Sequence, residues 1–458
     1  MAMFKNIAQC LAVIGLITIG SCSRILEPPP VDLLVDDLVL RGPDDMEPVR
    51  LGLYNAIRSF GSTTIFAGDF TADYIQNNGT FTDFNELGTK NITAANSLAR
   101  TLWGNIYGTI YIANFIHENI GSVARVSEIA KKDLLAEAKF CRAYAYFIAV
   151  HTFGDVPKVE TTDVETNRQI ARTPKSEILE WVRQDLEEAL GILPLRWDAD
   201  NASINKQFAT KNAVRAALAR YHLYQGEWAL AESYADSIIA SRVQSLDSSY
   251  VTVISTEFDS ETIFELAYAN SSSDDPGTSS TGLNNILVGR REVIPSNNYV
   301  QQIIHNNAGT RRATISFNPN NQGGRDNGWT VTKYGTPDEG NNNITVFRLA
   351  EIYLIRAEAR ANLGKVAGAL EDVNVLRKRA KAPMANFTTQ AVALNVIETE
   401  RLYELSFEGH RWYDLKRTNR LDAVMNAFSP NWESKYNLWP IPVTEMQTNK
   451  LLTQNNGY

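Results

Sequence analysis

Two stretches of this chain gather the residue types that recognise or cut a sugar. In the first, Asp69 and Asp73 precede Tyr74, and Asn77, Asn78, Phe81 and Phe84 follow. The second carries Arg290, Arg291, Tyr299, Trp329 and Tyr334. Sugars offer flat C–H faces to aromatic rings and hydroxyls to Asn, Asp and Arg, so glycan binding requires rings edged by amides and charges. The candidate ligand contacts are therefore Asp73, Tyr74, Asn77, Asn78, Phe81, Phe84, Arg290, Arg291, Tyr299, Trp329 and Tyr334. Peptide segments use the same groups, and packing under a loop is the competing role for each ring. Paired carboxylates are also what glycosidases need, on separate elements at a set distance. Asp69 and Asp73 are the pair to test for that; capping and loop hydrogen bonding are their more ordinary uses.

Other chemistry is scarce. The chain has no Gly-x-Ser-x-Gly elbow, no His-Glu-x-x-His pair and no Gly-x-x-x-x-Gly-Lys phosphate loop. His117-Glu118 lacks a second histidine, and His117, His151, His222, His305 and His410 show no ligand spacing, so each reads as structural. No catalytic residues, no cofactor and no metal site are expected. The 458 residues include 44 basic and 52 acidic side chains, for a net charge of −8. Nucleic-acid binding needs a basic stripe to displace counterions, and none is present. Hydrophobic residues at 44% and charged residues at 21% give a globular balance with ample material for a core.

The amino terminus reads as an export signal. Lys5 precedes a charge-free run over residues 6–21 whose centre is apolar but too short to span a bilayer. It ends Ile19-Gly20-Ser21-Cys22, which resembles a bacterial lipobox. Residues 1–21 are then a lipoprotein signal peptide and Cys22 the acylated first residue. Residues 22–40, with Pro28-Pro29-Pro30, form an extended tether. Acyl chains contribute about 0.8 kcal/mol per buried methylene, and more than one chain makes anchoring stable. Cys141 is left as a lone, core-type thiol.

The elements that must position the candidate residues are mainly helical. Leu134, Ala138, Cys141, Ala145 and Ile148 recur at helical spacing, widened by Phe140, Tyr144 and Phe147, up to a stop at Gly154. A second helix starts near Pro174 and presents Ile178, Trp181, Val182, Leu186 and Leu190. Two segments repeat at an offset of 138: Ala219, Gly226 and Ala231 match Ala357, Gly364 and Ala369. Each reads as a helix, a glycine turn and a second helix, resembling the tetratricopeptide hairpin, which must stack on neighbours. Residues 270–343 are rich in Asn, Ser, Gly and Pro and read as long loops with a few short strands; residues 61–96 read as a smaller stretch of the same kind. The expected organisation is one body over 41–458, with hairpins at about 97–241 and 345–417 and a loop-rich ligand-binding insert at about 270–343.

With these segments in place, the chain resembles the SusD/RagB family of outer-membrane nutrient-binding lipoproteins. The resemblance rests on Phe347-Arg348-Leu349-Ala350-Glu351-Ile352-Tyr353-Leu354-Ile355-Arg356-Ala357-Glu358, Glu400-Arg401 and the run from Glu404 through His410-Arg411-Trp412-Tyr413-Asp414 to Arg417. The terminal Pro440-Ile441-Pro442 and Asn455-Asn456-Gly457-Tyr458 support it, as does the segment around Arg142 leading into Phe153-Gly154-Asp155-Val156-Pro157. It implies a mostly helical fold, with four tetratricopeptide-like hairpins supporting an irregular, loop-rich portion. It also implies a non-catalytic surface lipoprotein that captures an oligosaccharide, or a peptide in RagB-like members. The partner it implies is a SusC-like TonB-dependent transporter, with the anchor in the outer membrane facing the exterior. Ligand residues vary between members, so the motif transfers none. Glu400, Arg401, Glu404, Glu408, Arg411, Asp414 and Arg417 lie three or four apart and are expected to pair along helical turns.

Overall fold

The computed structural model describes residues 39–268, 282–335 and 342–458. The signal segment, Cys22 and nearly all of the tether lie outside the described residues. The main helices are α1 (Pro43–Arg58), α2 (Ser97–Asn119), α3 (Glu128–Phe153), α4 (Lys175–Ile192), α5 (Lys211–Gln225), α6 (Trp228–Ser241), α7 (Asn297–His305), α8 (Leu349–Asn362), α9 (Val366–Arg379), α10 (Gln390–Glu404), α11 (Arg411–Arg417) and α12 (Leu421–Phe428). Short strands are β1 (Ile75–Asn77), β2 (Thr262–Leu266), β3 (Val293–Pro295), β4 (Ile315–Phe317), β5 (Trp329–Val331) and β6 (Ile344–Arg348). They pair only in twos, all antiparallel: β1 with β3, β2 with β6, and β4 with β5. The chain is mainly α, as the sequence predicts.

Helix α3 follows its spacing closely. The Ser127 hydroxyl accepts from the Ala130 amide at its start, and Gly154 ends it at φ +80°, a left-handed angle that favours glycine. Leu134, Ala138, Cys141, Ala145 and Ile148 are buried, and so are Phe140, Tyr144 and Phe147. From residue 140 to 153 the helix is buried on every side, with α2 and α4 packed against it. A helix enclosed in this way is a central core element rather than a surface one.

The repeat of 138 residues is a structural repeat. α5 and α6 form one hairpin, α8 and α9 the other, and the two turns carry Gly226 at φ +73° and Gly364 at φ +75°. Ala219, Ala231, Ala357 and Ala369 are fully buried, so the paired helices approach closely. The second helix of the first hairpin lies on the first helix of the second. Arg356 bonds Asp236 at 2.6 Å and Arg360 bonds Glu232 at 3.1 Å across that contact. α10 then covers the second hairpin through Ala393 and Ile397, which meet Ala357, Ala361 and Val373.

Two expectations are corrected. Half of residues 61–96 is helical: Gly61–Ile65 is an α-turn, Phe66–Phe70 a π-turn and Thr82–Thr89 a helix. The apolar run Ile65, Phe66, Ala67 and Phe70 is buried, and core burial overrides the Gly and Thr content that reads as loop. Gly68 fits there because a Cβ would stand 2.0 Å from the Gly409 carbonyl oxygen. The charged residues near the carboxyl end mostly do not pair along turns either. Arg417 and Asp414 are an i,i+3 pair at 2.8 Å, but Arg401 reaches Asp414 from α10, and Arg417 grips Glu358 on α8. Glu400 holds Arg377 at 2.8 Å and also binds Arg311. These side chains join separate elements, and β6 delivers Arg348 into their midst.

Candidate ligand-binding surface

The structure divides the candidate residues into a buried set and a set that is at least partly exposed. Tyr74, Phe84, Tyr299 and Tyr334 are between 1% and 4% exposed and offer no platform to a ligand. Tyr299 Oη donates to Ser406 at 2.8 Å, Tyr334 Oη to the Phe407 carbonyl at 2.6 Å, and Tyr74 and Tyr299 pack edgewise on Phe407. Their work is to hold the loop that follows α10. Phe84 sits against Phe66 and Phe70. Asn77 is buried as well, donating to Asn85 Oδ1 at 3.0 Å.

The two carboxylates considered for hydrolysis are consumed internally. Asp73 is 1% exposed and takes a two-point ion pair from Arg411, Nε at 2.9 Å and Nη2 at 3.2 Å. Asp69 is fully buried and accepts the backbone amides of Gly409 and Arg411. Burial pushes the Asp69 carboxyl up to about 7, against the lowering pull of those amides.

The remaining candidates come together on one surface, built outward from β1 and β3. Beyond Asn77 the chain turns around Glu292. The amides of Asn78 and Gly79 both donate to the Glu292 carbonyl at 2.8 Å. Those of Thr80 and Phe81 donate to its carboxylate at 2.7 and 2.9 Å. Gly79 is needed because a Cβ would lie 1.9 Å from Glu292 Oε2. The result is a rigid turn that presents Phe81, with the exposed Arg290 guanidinium 5.1 Å from its ring centroid.

Arg291 ties this turn to the β4–β5 hairpin. It donates to both oxygens of Asp326, at 2.6 and 3.1 Å, to the Trp329 carbonyl at 3.1 Å, and to Thr330 Oγ1. Asn78 Nδ2 adds bonds to the Arg291 carbonyl and to Asp326. Burial works against ionisation of Asp326, and Arg291 outweighs it, so the carboxyl stays below its ordinary value. On the hairpin itself Phe317 and Trp329 are cross-strand partners, with ring centroids 5.2 Å apart. Gly328, at φ +84°, precedes Trp329; a Cβ there would meet the Phe317 ring at 2.6 Å. Phe317 is 47% exposed and Trp329 half-buried.

Sequence reasoning missed Phe317, Asp326 and Glu292. A signal for Phe317 was present: an aromatic residue on each side of an Asn/Gly-rich tip, which marks a hairpin. Glu292 and Asp326 act through backbone turns and leave no spacing to read. Next to the surface, Asn327 bonds Asn297 at 2.9 Å, and Gln76 bonds the Arg325 carbonyl at 3.3 Å. Gln76 and Asn297 line a cleft of about 960 Å³ together with Asn298, Gln302, Asn395 and Glu398. Amides and carboxylates, with the guanidinium groups of Arg411 and Arg420, thus line a polar space next to the surface that carries the rings. Among the described residues no group of three or more His, Cys, Asp or Glu side chains is placed to hold a metal ion.

Comparison with known proteins decides the family. A family model described as "SusD family" matches residues 278–458, and a second, "Starch-binding associating with outer membrane", matches residues 52–223. The chain belongs to the SusD family. SusD-like protein P38 of Formosa agariphila is 26% identical over 100% of both chains. The starch-binding protein SusD of Bacteroides thetaiotaomicron is 35% identical over 29% of this chain and 24% of that one. Among solved structures, a laminarin-binding SusD-like protein superposes with a TM-score of 0.78 at 23% identity, covering 91% of this chain and all of that one. That likeness concerns the fold. Within this SusD-family chain, the charged family motif is an internal frame, and the surface around Phe81 and Trp329 lies outside it.

Proposed function

We propose that this chain is a non-catalytic, lipid-anchored glycan-binding protein of the outer membrane, facing the cell exterior. It captures an oligosaccharide and passes it to a SusC-like TonB-dependent transporter. The observation that carries the binding site is the rigid presentation of Phe317 with Trp329, and of Phe81 with Arg290, on turns locked by Arg291 and Glu292. Partly exposed rings held in place by polar bonds cost little ordering on binding, which favours affinity. The starch-binding relative and the laminarin-binding structural neighbour favour a glycan over a peptide. Binding without hydrolysis is consistent with Asp69 and Asp73 being committed to backbone and guanidinium partners.

Calorimetric titration with a panel of neutral glucans tests the capture surface. Phe81→Ala and Trp329→Ala are each expected to weaken the best ligand about tenfold, corresponding to about 1.4 kcal/mol. Phe81→Ala is expected to lower the melting temperature only slightly, because its ring is half-buried where it stacks on Phe84. Binding unchanged in both variants would refute the surface; product release from a bound oligosaccharide would refute the non-catalytic reading. The anchor has its own test. Cys22→Ser is expected to move the protein from the detergent phase to the aqueous phase while ligand affinity stays the same, since tether and site are different parts of the chain.

A further inference from the structure

Where α3, α11 and the start of α4 meet, two lysine ammonium groups converge on one histidine. Lys175 Nζ stands 3.3 Å from His151 Nδ1, and Lys416 Nζ donates to the His151 carbonyl oxygen at 2.5 Å. Lys416 also lies over the Trp412 ring, 4.4 Å from its centroid. The acid that acts on Lys175 is Asp155, but its Oδ1 is taken by the Lys175 backbone amide at 2.8 Å. For Lys416 the charged neighbour is Lys175 itself, and burial together with that charge holds its ammonium well below the ordinary value. Two cations brought together without a carboxylate between them repel, and in a chain of net charge −8 they are not a by-product of general basicity.

The same groups line a cavity of about 400 Å³ with Tyr224, Tyr413 and Asn437. The other charged residues there are engaged. Arg417 is saturated by Glu358 and Asp414, and Asp422 accepts from Trp432 Nε1 at 2.8 Å and Ser434 Oγ at 3.2 Å. Two lining atoms are not. His151, only 6% exposed, has no partner at Nε2, and Asn437 has none at Oδ1. With Nδ1 accepting from Lys175, Nε2 carries the hydrogen, so the residues that line the cavity include one unpartnered buried donor and one unpartnered buried acceptor. Buried polar groups left unpaired are costly to a fold, and a ligand of matching chemistry would offset that cost. A neighbouring cavity of about 460 Å³ shares Tyr224, Arg417 and Asn419 with this one. It shares Asn395, Glu398 and Arg411 with the amide-lined cleft beside the aromatic surface. The three cavities therefore lie side by side along the same polar side chains.

We infer that the His151 cavity binds an acidic sugar residue, with Lys175 and Lys416 holding its carboxylate or sulfate ester and Asn437 accepting one of its hydroxyls. That the anion belongs to a sugar rests on the glycan-capture reading; the cation pair and the two orphaned atoms do not depend on it. The class of ligand is a glycan unit carrying one negative charge, in a pocket of the size small ligands occupy.

The test uses the mature chain and thermal unfolding in the presence of glucuronate, glucose 6-sulfate, glucose, acetate, inorganic sulfate or triglycine, because a ligand bound only by the folded state raises the melting temperature. At least one of the two sugar acids is expected to give a saturable rise that shrinks with added salt, with glucose giving none. The more effective sugar acid tells carboxylate from sulfate ester. Lys175→Gln, at a partly exposed first position of α4, is expected to weaken that response at least tenfold, and Phe81→Ala to leave it unchanged. No rise with either sugar acid, an equal rise with glucose, or no effect of Lys175→Gln overturns the inference. So does a rise from acetate or sulfate equal to the sugar acid's, which marks a bare anion site, or a rise from triglycine alone, which marks a peptide site. Titration with neutral glucans runs in parallel: if these bind and the sugar acids do not, the pocket fails and the capture surface stands. If the sugar acids bind and no glucan does, the reverse holds.

Discussion

Arg348→Ala is expected to lose about 3–5 kcal/mol of unfolding free energy, the range for breaking one member of a buried ion network. Arg348 is 3% exposed and serves three carboxylates. It donates to Glu404 at 2.7 Å and to Glu408 at 2.8 and 2.9 Å, and it stands 3.5 Å from Glu261. Removing it leaves those acids in a space too dry to solvate them. Arg379, which binds Glu261 and Glu404, and Lys333, which binds Glu408, already have their own geometry and cannot span the gap. The damage is to architecture, because the guanidinium also donates to the Glu404 carbonyl and so ties the end of β6 to the end of α10. Urea unfolding measures it, with Arg168→Ala as the control. That residue's ion pair with Glu165 is 51% and 76% exposed, and its loss should change stability by less than about 0.5 kcal/mol. A loss under about 1 kcal/mol in Arg348→Ala would mean the network contributes specificity and little stability.

The helical frame was legible in the sequence because helices announce themselves locally. The spacing of Leu134 to Ile148, the stop at Gly154 and the paired Gly226 and Gly364 turns each express a backbone constraint within a few residues of where it acts. The family motif was legible too, but its physics was not. By spacing alone Arg401, Arg411 and Arg417 read as partners of nearby acids along helical turns, whereas they bind Asp414, Asp73 and Glu358. In the fold they are contacts between elements, and periodicity carries no information about a partner 338 residues away. The candidate surface failed in a similar way. Tyr74, Tyr299 and Tyr334 share composition with Phe81 and Trp329, yet Phe407 and the loop around it bury them. Composition identifies the kinds of residue a site needs and is silent on which of them the core has already taken. Phe317 was missed for the complementary reason: its partner Trp329 lies across a hairpin tip, so the pair exists only after β4 and β5 close.

Glu408 allows the network to be weighed by pH. Burial opposes its ionisation, but the charges of Arg348 and Lys333 and the Arg348 hydrogen bonds outweigh that and hold it down to about 2, from an ordinary 4.5. A carboxyl depressed by folding stabilises the native state above its unfolded value and loses that contribution as pH falls through its folded value, so the window is about 4.5 down to about 2. The expected contribution over that window is on the order of 3 kcal/mol. The whole chain's profile mixes this with other groups. Burial lowers His410 from 6.5 to about 4, so its stabilisation is lost as pH falls between those values. Burial raises Asp69 to about 7, and its contribution is present at acid pH and lost as pH rises to 7. Comparing the chain with Glu408→Gln removes most of both, leaving the part that the Glu408 charge itself exerts on Asp69 and His410. At neutral pH the variant is the less stable, since Arg348 and Lys333 face an amide. Between pH 4.5 and 2 the gap closes, because the native chain surrenders the same interaction by protonation. Urea midpoints at half-unit steps from pH 7 to 3 read the difference. A gap that stays constant to pH 3 would mean Glu408 titrates like an exposed carboxyl, and the buried charges would then not be what fastens the loop after α10 to β6.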